Sequence, residues 1–142
     1  MEGRRVEGDD FFCCITFPYK KTNATFVLGG WGGSVCGISS IDFMDAMENS
    51  TMSVMDFDKA KWYKVRLIVT ENRFQGFVDK KRIVNVGIKG RKIGMRFGEI
   101  EESLPLGIST FQTSGEFKNI SMRPLNKKEI AAAKKLDEED EF

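Results

Sequence analysis

The chain has 142 residues, of which 41% are hydrophobic, and a formal net charge of +1 at pH 7. This length suits one domain with a real core, and the balanced charge does not favour nucleic acid as a partner. Histidine is absent, which excludes Ser-His-Asp and Cys-His catalysis and the commonest zinc ligand. A catalyst built from this sequence would have to use carboxylates, Lys, Tyr, Cys or a bound cofactor.

The start of the chain does not resemble a signal peptide. The first ten residues, MEGRRVEGDD, lack the apolar stretch of a signal peptide. No apolar run anywhere reaches the length of a membrane span. The sequence therefore predicts no membrane span and a cytoplasmic location by default, unless the chain is a fragment of a longer protein.

Short runs of aromatic and β-branched residues predict a series of strands. The predicted strands cover residues 10–18, 23–28, 35–41, 61–71, 74–79, 82–86, 91–97, 105–112 and 116–123. No helix is expected between them. The consequence is an all-β antiparallel sandwich.

Alternation is clearest in the strand predicted at 61–71. The side chains expected to face the core are Tyr63, Val65, Leu67 and Val69. Lys64 and Arg66 point the other way, as does Gln75 on the following strand. Trp62 heads this strand and is predicted to lie in the core.

The three cysteines are Cys13, Cys14 and Cys36. They show no metal-binding spacing, and their odd number does not suit a disulfide framework. Free, buried thiols are the favoured interpretation. Cys13 and Cys14 are adjacent on a predicted strand, so one of them should face the core and the other should face away from it.

Residues 126–142 differ in character from the rest. They hold four Lys and six Asp or Glu, a net charge of −2, which leaves +3 for the remainder of the chain. Asn126 is a suitable N-cap, with Glu129 three residues later, and the following EIAAAKKL favours a helix. We expect two parts: a sandwich over residues 1–125 and a solvated, acidic helical tail over 126–142.

The stretch from Leu28 to Thr51, LGGWGGSVCGISSIDFMDAMENST, is the best candidate for a site. Four glycines surround Trp31, which predicts a tight corner. An exposed Trp31 ring could stack on the apolar face of a sugar. The alternative is a structural Trp that closes the edge of the sandwich.

The polar loop after this corner carries Asp42, Asp45, Glu48 and Asn49. Hard oxygen ligands such as these suit Ca²⁺, although the Asp-x-Asp-x-Asp-Gly pattern is absent. Turn and capping roles are the alternative. Asp42, Asp45 and Glu48 are also candidates for the two carboxyls that a glycosidase needs across its cleft.

Four stretches together carry a resemblance to one family. They are RRVEGDDFF with ITFP, FVLGGWGGSVCGISSID with MEN, WYKVRLIVTENRFQGFVDKKRIVNV, and LGISTFQTSGEFKNISMRPL. The chain resembles the concanavalin A-like, jelly-roll β-sandwich domain labelled 3-keto-disaccharide hydrolase, which is common in planctomycetes and related bacteria. The resemblance spans residues 4–125.

This resemblance implies a carbohydrate ligand on the concave sheet and a hydrolase that cleaves glycosides, or a glycan binder. The candidate catalytic residues are then Asp42, Asp45 and Glu48, which double as a calcium site. The candidate substrate-binding residues are Trp31, Arg66, Gln75 and Asn49. The rival hypothesis is a non-catalytic lectin-like or protein-interaction module on the same fold.

Members of this family usually have further strands before the segment that matches Arg4–Gly8. We therefore expect a sandwich that lacks N-terminal strands and exposes the apolar residues of 10–18. Open edges and apolar patches invite pairing with another chain. This predicts aggregation or a homodimer.

Overall fold

A computed structural model describes residues 1–140 of the chain. The strands are β1 (Glu2–Glu7), β2 (Cys13–Tyr19), β3 (Thr22–Gly30), β4 (Val35–Ser39), β5 (Ser53–Val54), β6 (Tyr63–Val69), β7 (Arg73–Val78), β8 (Lys81–Gly87), β9 (Gly107–Ser109) and β10 (Ser114–Lys118). A 3₁₀ turn, Glu99–Ser103, precedes β9, and the helix α1 spans Lys127–Asp140.

The strands form two antiparallel five-stranded sheets. The first sheet has the order β10-β1-β6-β7-β8, and the second has the order β5-β4-β3-β2-β9. The stretch 10–123, all of it described, holds no α-helix. The predicted antiparallel, jelly-roll-type β-sandwich with a short C-terminal helix is confirmed.

Aromatic residues fill the core between the two sheets. The rings of Phe12 and Phe57 lie 4.8 Å apart, and those of Phe17 and Phe74 meet edge to face at 5.1 Å. Edge-to-face pairs add to the stabilisation that burial alone provides. Gly76 leaves the space for a neighbouring ring, because a Cβ there would lie 2.5 Å from Phe26.

The predicted alternation of β6 is confirmed. Tyr63 and Val65 are buried, whereas Lys64 and Arg66 are exposed. Leu67 and Val69 pack against the core cluster from partly buried positions. Ile68 lies on the same face of β6 as Arg66, which points away from the core, and is also buried. Another element must therefore pack on the outer face of the first sheet.

The helix α1 packs on this outer face of the first sheet. Its N-terminus is the predicted capping box, in which the Asn126 backbone N–H donates to Glu129 Oε1 (2.9 Å) and the Glu129 N–H donates to Asn126 Oδ1 (2.8 Å). Ala133 is 1% exposed, and Arg73 of β7 donates from Nε to Asp137 (2.9 Å) and from Nη2 to Asp140. The prediction of a solvated tail is therefore wrong, because α1 docks on the first sheet.

The strands predicted from the sequence omit β1 and β5 and include one at 91–97 that is wrong. β1 lies between β10 and β6. Residues 91–97 form no strand. They contact 40–44 through the isolated bridge between Ile41 and Ile93 and through backbone hydrogen bonds such as Ser40 N–H to Gly94 O (2.8 Å) and Asp42 N–H to Lys92 O (2.7 Å). Positive φ angles at Asp42 and Phe43 (51° and 64°) turn the chain away from a regular ladder.

β2 is paired on both edges over residues 14–16 within the described residues. It pairs with β3 on one side and with β9 on the other. Phe12 and Phe17, at and beside it, belong to the core. The exposed strand that led us to expect aggregation or a homodimer is therefore not found at 10–18.

All three cysteines are free and buried. Cys13 belongs to the main core, and Cys14 belongs to a second apolar cluster on the outer face of the second sheet. Burial raises the pKa of Cys13 to about 12 and that of Cys36 to about 11. These thiols are protonated at neutral pH and are poor nucleophiles.

Candidate functional site

The side chain of Arg5 holds the corner between β3 and β4 in place. Arg5 is 4% exposed and donates from Nη2 to the backbone oxygens of Gly29 (3.1 Å) and Gly33 (3.2 Å), on either side of Trp31. Trp31 itself adopts a φ of 47°. A Cβ on Gly30 would lie 1.9 Å from the ring of Phe11, so only glycine fits there.

The ring of Trp31 is half-buried at this corner. Phe11 meets it edge to face, with ring centroids 5.1 Å apart. It packs against the cluster that contains Val27 and Ala46 on the outer face of the second sheet. The guanidinium carbon of Arg96 lies 5.6 Å from the ring centroid. Trp31 is thus a fixed aromatic surface with a cation beside it.

The polar loop reaches the same place through Asp45. Its Oδ2 lies 3.6 Å from Arg96 Nε, so Arg96 contacts Asp45 and Trp31 together. The Arg96 side chain is 48% exposed and that of Asp45 is 28% exposed. Two sequence-predicted residues therefore meet at a third, Arg96, that sequence reasoning did not single out.

The outer face of the second sheet beneath this loop is neutral. None of its five strands contains Asp, Glu, Lys or Arg. The hydroxyls of Thr16 and Thr25 bond to each other (3.1 Å), and Thr16 also bonds to Ser103 of the 3₁₀ turn (2.6 Å). Any carboxylate near this face comes from the covering loops.

Asp42 connects two of these loops. Its Oδ1 accepts a hydrogen bond from the Lys92 backbone N–H (2.8 Å), and its Oδ2 accepts one from Arg91 Nε. These donors, the Lys92 N–H first, lower the pKa of Asp42. A lowered pKa is the reverse of what a general acid needs, so we do not retain Asp42 as a proton donor.

The calcium prediction is not supported. Among residues 1–140, no three Asp, Glu, Cys or His side chains converge in a way that could hold a metal ion. Asp42 and Asp45 each face an arginine instead, and Glu48 is exposed. The carboxylate oxygens of Asp42 and Asp45 therefore pair with arginine side chains of the protein.

Asn49 is a structural residue, so its predicted role in substrate binding is wrong. It is 6% exposed. Its amide nitrogen donates to the backbone oxygens of Ile38 (2.8 Å) and Met44 (3.0 Å), and its Oδ1 accepts from the N–H and hydroxyl of Thr51. All its hydrogen-bonding groups are satisfied by the chain, leaving none for a ligand.

Arg66 and Gln75 cannot share a site with Trp31. They lie on the outer face of the first sheet, where Arg66 pairs with Glu129 of α1. Gln75, only 7% exposed, lies two residues from Arg73, which binds the other end of the helix. Both sheets separate these residues from Trp31, so the four predicted substrate-binding residues do not form one site.

The second tryptophan has a different environment. Trp62 is half-buried rather than in the core, and the cations of Arg4 and Lys118 lie 4.7 and 4.1 Å from its ring centroid. Since Arg4 belongs to β1 and Lys118 to β10, this ring is on the first sheet. It is the natural control for Trp31.

No helix in the described part of the chain is long and apolar enough to cross a membrane. Comparison of the chain with models of known families, with curated proteins and with solved structures found no match.

Proposed function

We propose that this chain is a carbohydrate-binding domain and that its ligand lies against Trp31, Arg96 and Asp45. The observation that carries the proposal is the Trp31 ring, fixed at a glycine corner and only half-buried, with Arg96 and Asp45 beside it. Aromatic faces pack against the C–H face of a sugar, and an Arg–carboxylate pair can bond to its hydroxyls. The resemblance to the 3-keto-disaccharide hydrolase domain supports the same class of ligand.

The geometry gives more support to binding than to hydrolysis. A glycosidase needs one carboxyl that donates a proton and a second one opposite it. Asp42 has a lowered pKa and two bound donors, and the strands beneath the site contribute no carboxylate. We therefore propose a glycan binder and leave hydrolysis as an arm of the test.

The test is a binding panel of neutral glycans and keto-glycosides on the purified chain, with product release measured in parallel. Trp31→Ala should lower affinity for the glycan by tenfold or more, since an aromatic stack contributes about 1.5 kcal/mol. Trp62→Ala is the matched control and should leave affinity unchanged. Equal losses in the two variants, or no binding by the unmodified chain, would refute the proposal.

One observation favours a second candidate, a protein-interaction module. Phe97, next to Arg96, is 93% exposed, and Met47, next to Ala46, is 51% exposed. Exposed Trp, Arg, Phe and Met side chains are typical of protein interfaces. Phe97→Ser distinguishes the candidates: it should leave glycan affinity unchanged but weaken a protein partner.

A further inference from the structure

A cleft of about 490 Å³ opens at the end of the sandwich opposite the Trp31 corner. It lies where the β2–β3 turn, the β6–β7 turn and the segment after β8 come together. The Tyr19 hydroxyl donates to the backbone oxygen of Glu71, which joins the two sheets at this end. β3 begins beside the cleft and ends beside Trp31, so the strand's length separates the two places.

The lining of this cleft is both apolar and cationic. Its apolar side chains are Tyr19, Ile88 and Ile93. Its charged side chains are Lys20, Lys21, Lys89 and Arg91, and none of the lining residues within 1–140 is a carboxylate. An apolar surface beside several cations suits a ligand with a ring body and an anionic group.

Among the described carboxylates near this cleft, Asp42 and Asp140 are already paired, and Glu71 borders it through the contact of its backbone oxygen with Tyr19. Asp42 binds Arg91 and the Lys92 backbone, and Asp140, near Gly87, binds Arg73. Lys20 and Lys21 occupy a two-residue turn at the exposed tip of the β2–β3 hairpin. Their positive field is therefore directed over the opening of the cleft.

We propose that this cleft is a second binding site, for a saccharide that carries a carboxylate or a sulfate. The anion preference rests on the cleft alone, whereas the choice of a saccharide rests on the proposed function. The ring would lie on Tyr19 and Ile93, since Ile88 is only 2% exposed, and Lys20 and Lys21 would meet its charged group. The Asn72 side chain, also in the lining, can bond to hydroxyls.

The experiment compares a galacturonate tetrasaccharide with its neutral galactose counterpart by calorimetry, at low and high salt. The test variant is Lys20→Gln with Lys21→Gln. The matched control is Lys80→Gln with Lys81→Gln, which removes two exposed lysines from the β7–β8 turn and the first position of β8, away from the cleft. Arg91 is left intact, because it holds Asp42.

We expect the acidic probe to bind at least tenfold more tightly than the neutral probe to this site. The Lys20/Lys21 variant should lose about tenfold of that affinity, as expected for hydrogen bonds to charged groups, and the Lys80/Lys81 control should lose less than twofold. High salt should weaken the complex. Trp31→Ala should leave binding of the acidic probe unchanged, while it lowers affinity for neutral glycans by tenfold or more.

Several results would overturn the second site. They are equal losses in the two lysine variants, equal affinity for the two probes, and loss of the acidic complex in Trp31→Ala. Backbone amide shifts of the unmodified protein give an independent measurement. Binding in the cleft should shift Lys20, Lys89 and Gly90, and shifts confined to other regions would contradict it. Failure of the neutral-glycan test alone would affect only the proposed function.

Discussion

The outer faces of the two sheets are both covered, but by opposite chemistry. On the first sheet, α1 docks through charges, with a buried Arg73 bound to Asp137 and Asp140. On the second sheet, strands without charged residues lie under a loop whose buried hydrogen bonds are neutral, and those of Asn49 are the most numerous. The ion pairs Asp42–Arg91 and Asp45–Arg96, which join this loop to the segment at 91–97, are partly exposed. A charged cover responds to pH and salt, whereas a neutral one holds its loops in fixed positions.

This difference bears directly on the proposed site. Trp31 and Asp45 lie on the neutral side, at loops whose backbone is fixed by buried hydrogen bonds. A binding surface gains affinity when it is ordered before the ligand arrives. The charged cover on the first sheet has no such role in our account.

The largest effect is expected from loss of Asn49. Asn49→Ala leaves the backbone oxygens of Ile38 and Met44 and the N–H of Thr51 without this partner, and each unsatisfied buried group costs about 1–3 kcal/mol. After partial relaxation of the loop, we expect the free energy of unfolding to fall by about 3 kcal/mol. Chemical denaturation measures this loss.

The control is Asn23→Ala, which removes a single exposed hydrogen bond to Pro105. It should cost less than about 1 kcal/mol. Similar losses of unfolding free energy in Asn49→Ala and Asn23→Ala would show that the hydrogen bonds of Asn49 do not hold the loop over the second sheet.

The next effect is expected at Arg73. Arg73→Met removes the charge that binds Asp137, Asp140 and Asn85, but it also removes the cost of burying that charge. We expect a loss of about 2 kcal/mol and faster hydrogen exchange in α1, with the loop at 42–51 unchanged. Arg82→Met, at an exposed position of β8, is the control. Faster exchange in the loop as well would mean that the two covers are coupled.

A smaller effect is expected from acid. Arg123, followed by the Asn126 backbone N–H, lowers the pKa of Glu129 to about 2 from an ordinary value of 4.5. The unfolded chain then binds the proton more readily, so the stability that Glu129 contributes is complete above about pH 4.5. It is lost as the pH falls towards about 2.

Glu129→Gln lacks this contribution at every pH. The difference in unfolding free energy between the unmodified chain and this variant should therefore shrink between pH 6 and pH 2.5. A difference that stays constant across that range would show that Glu129 does not titrate as its contacts require.

The fold was largely predictable because its signals are local. The alternation of Tyr63, Lys64, Val65 and Arg66 depends only on the strand itself, and the Asn126–Glu129 capping box spans a single turn. β1 was not predicted because it contains a buried charged residue, Arg5, and a local sequence pattern does not indicate burial of a charge. Arg5 Nη1 and Nη2 donate to backbone oxygens far away in sequence, at Gly29, Gly33 and Phe57, which no local pattern can show.

The site was only partly predictable for the same reason. The glycines around Trp31 and the acidic loop are visible in the sequence, and Arg96 joins them only after the segment at 91–97 folds over the second sheet. Arg66 and Gln75 follow the correct alternation, but the sequence does not say which of two sheets they belong to. Asn49 has the same side chain whether it binds a ligand or the loop.

The most direct measurement of the central claim uses the two tryptophans of the chain. Their indole N–H groups give two ¹H–¹⁵N signals, which Trp62→Phe assigns. Titration with a glycan that the panel identifies should shift the Trp31 signal and leave the Trp62 signal in place. A shift of Trp62 alone, or saturation of binding with both signals unmoved, would contradict the claim that the glycan lies against Trp31.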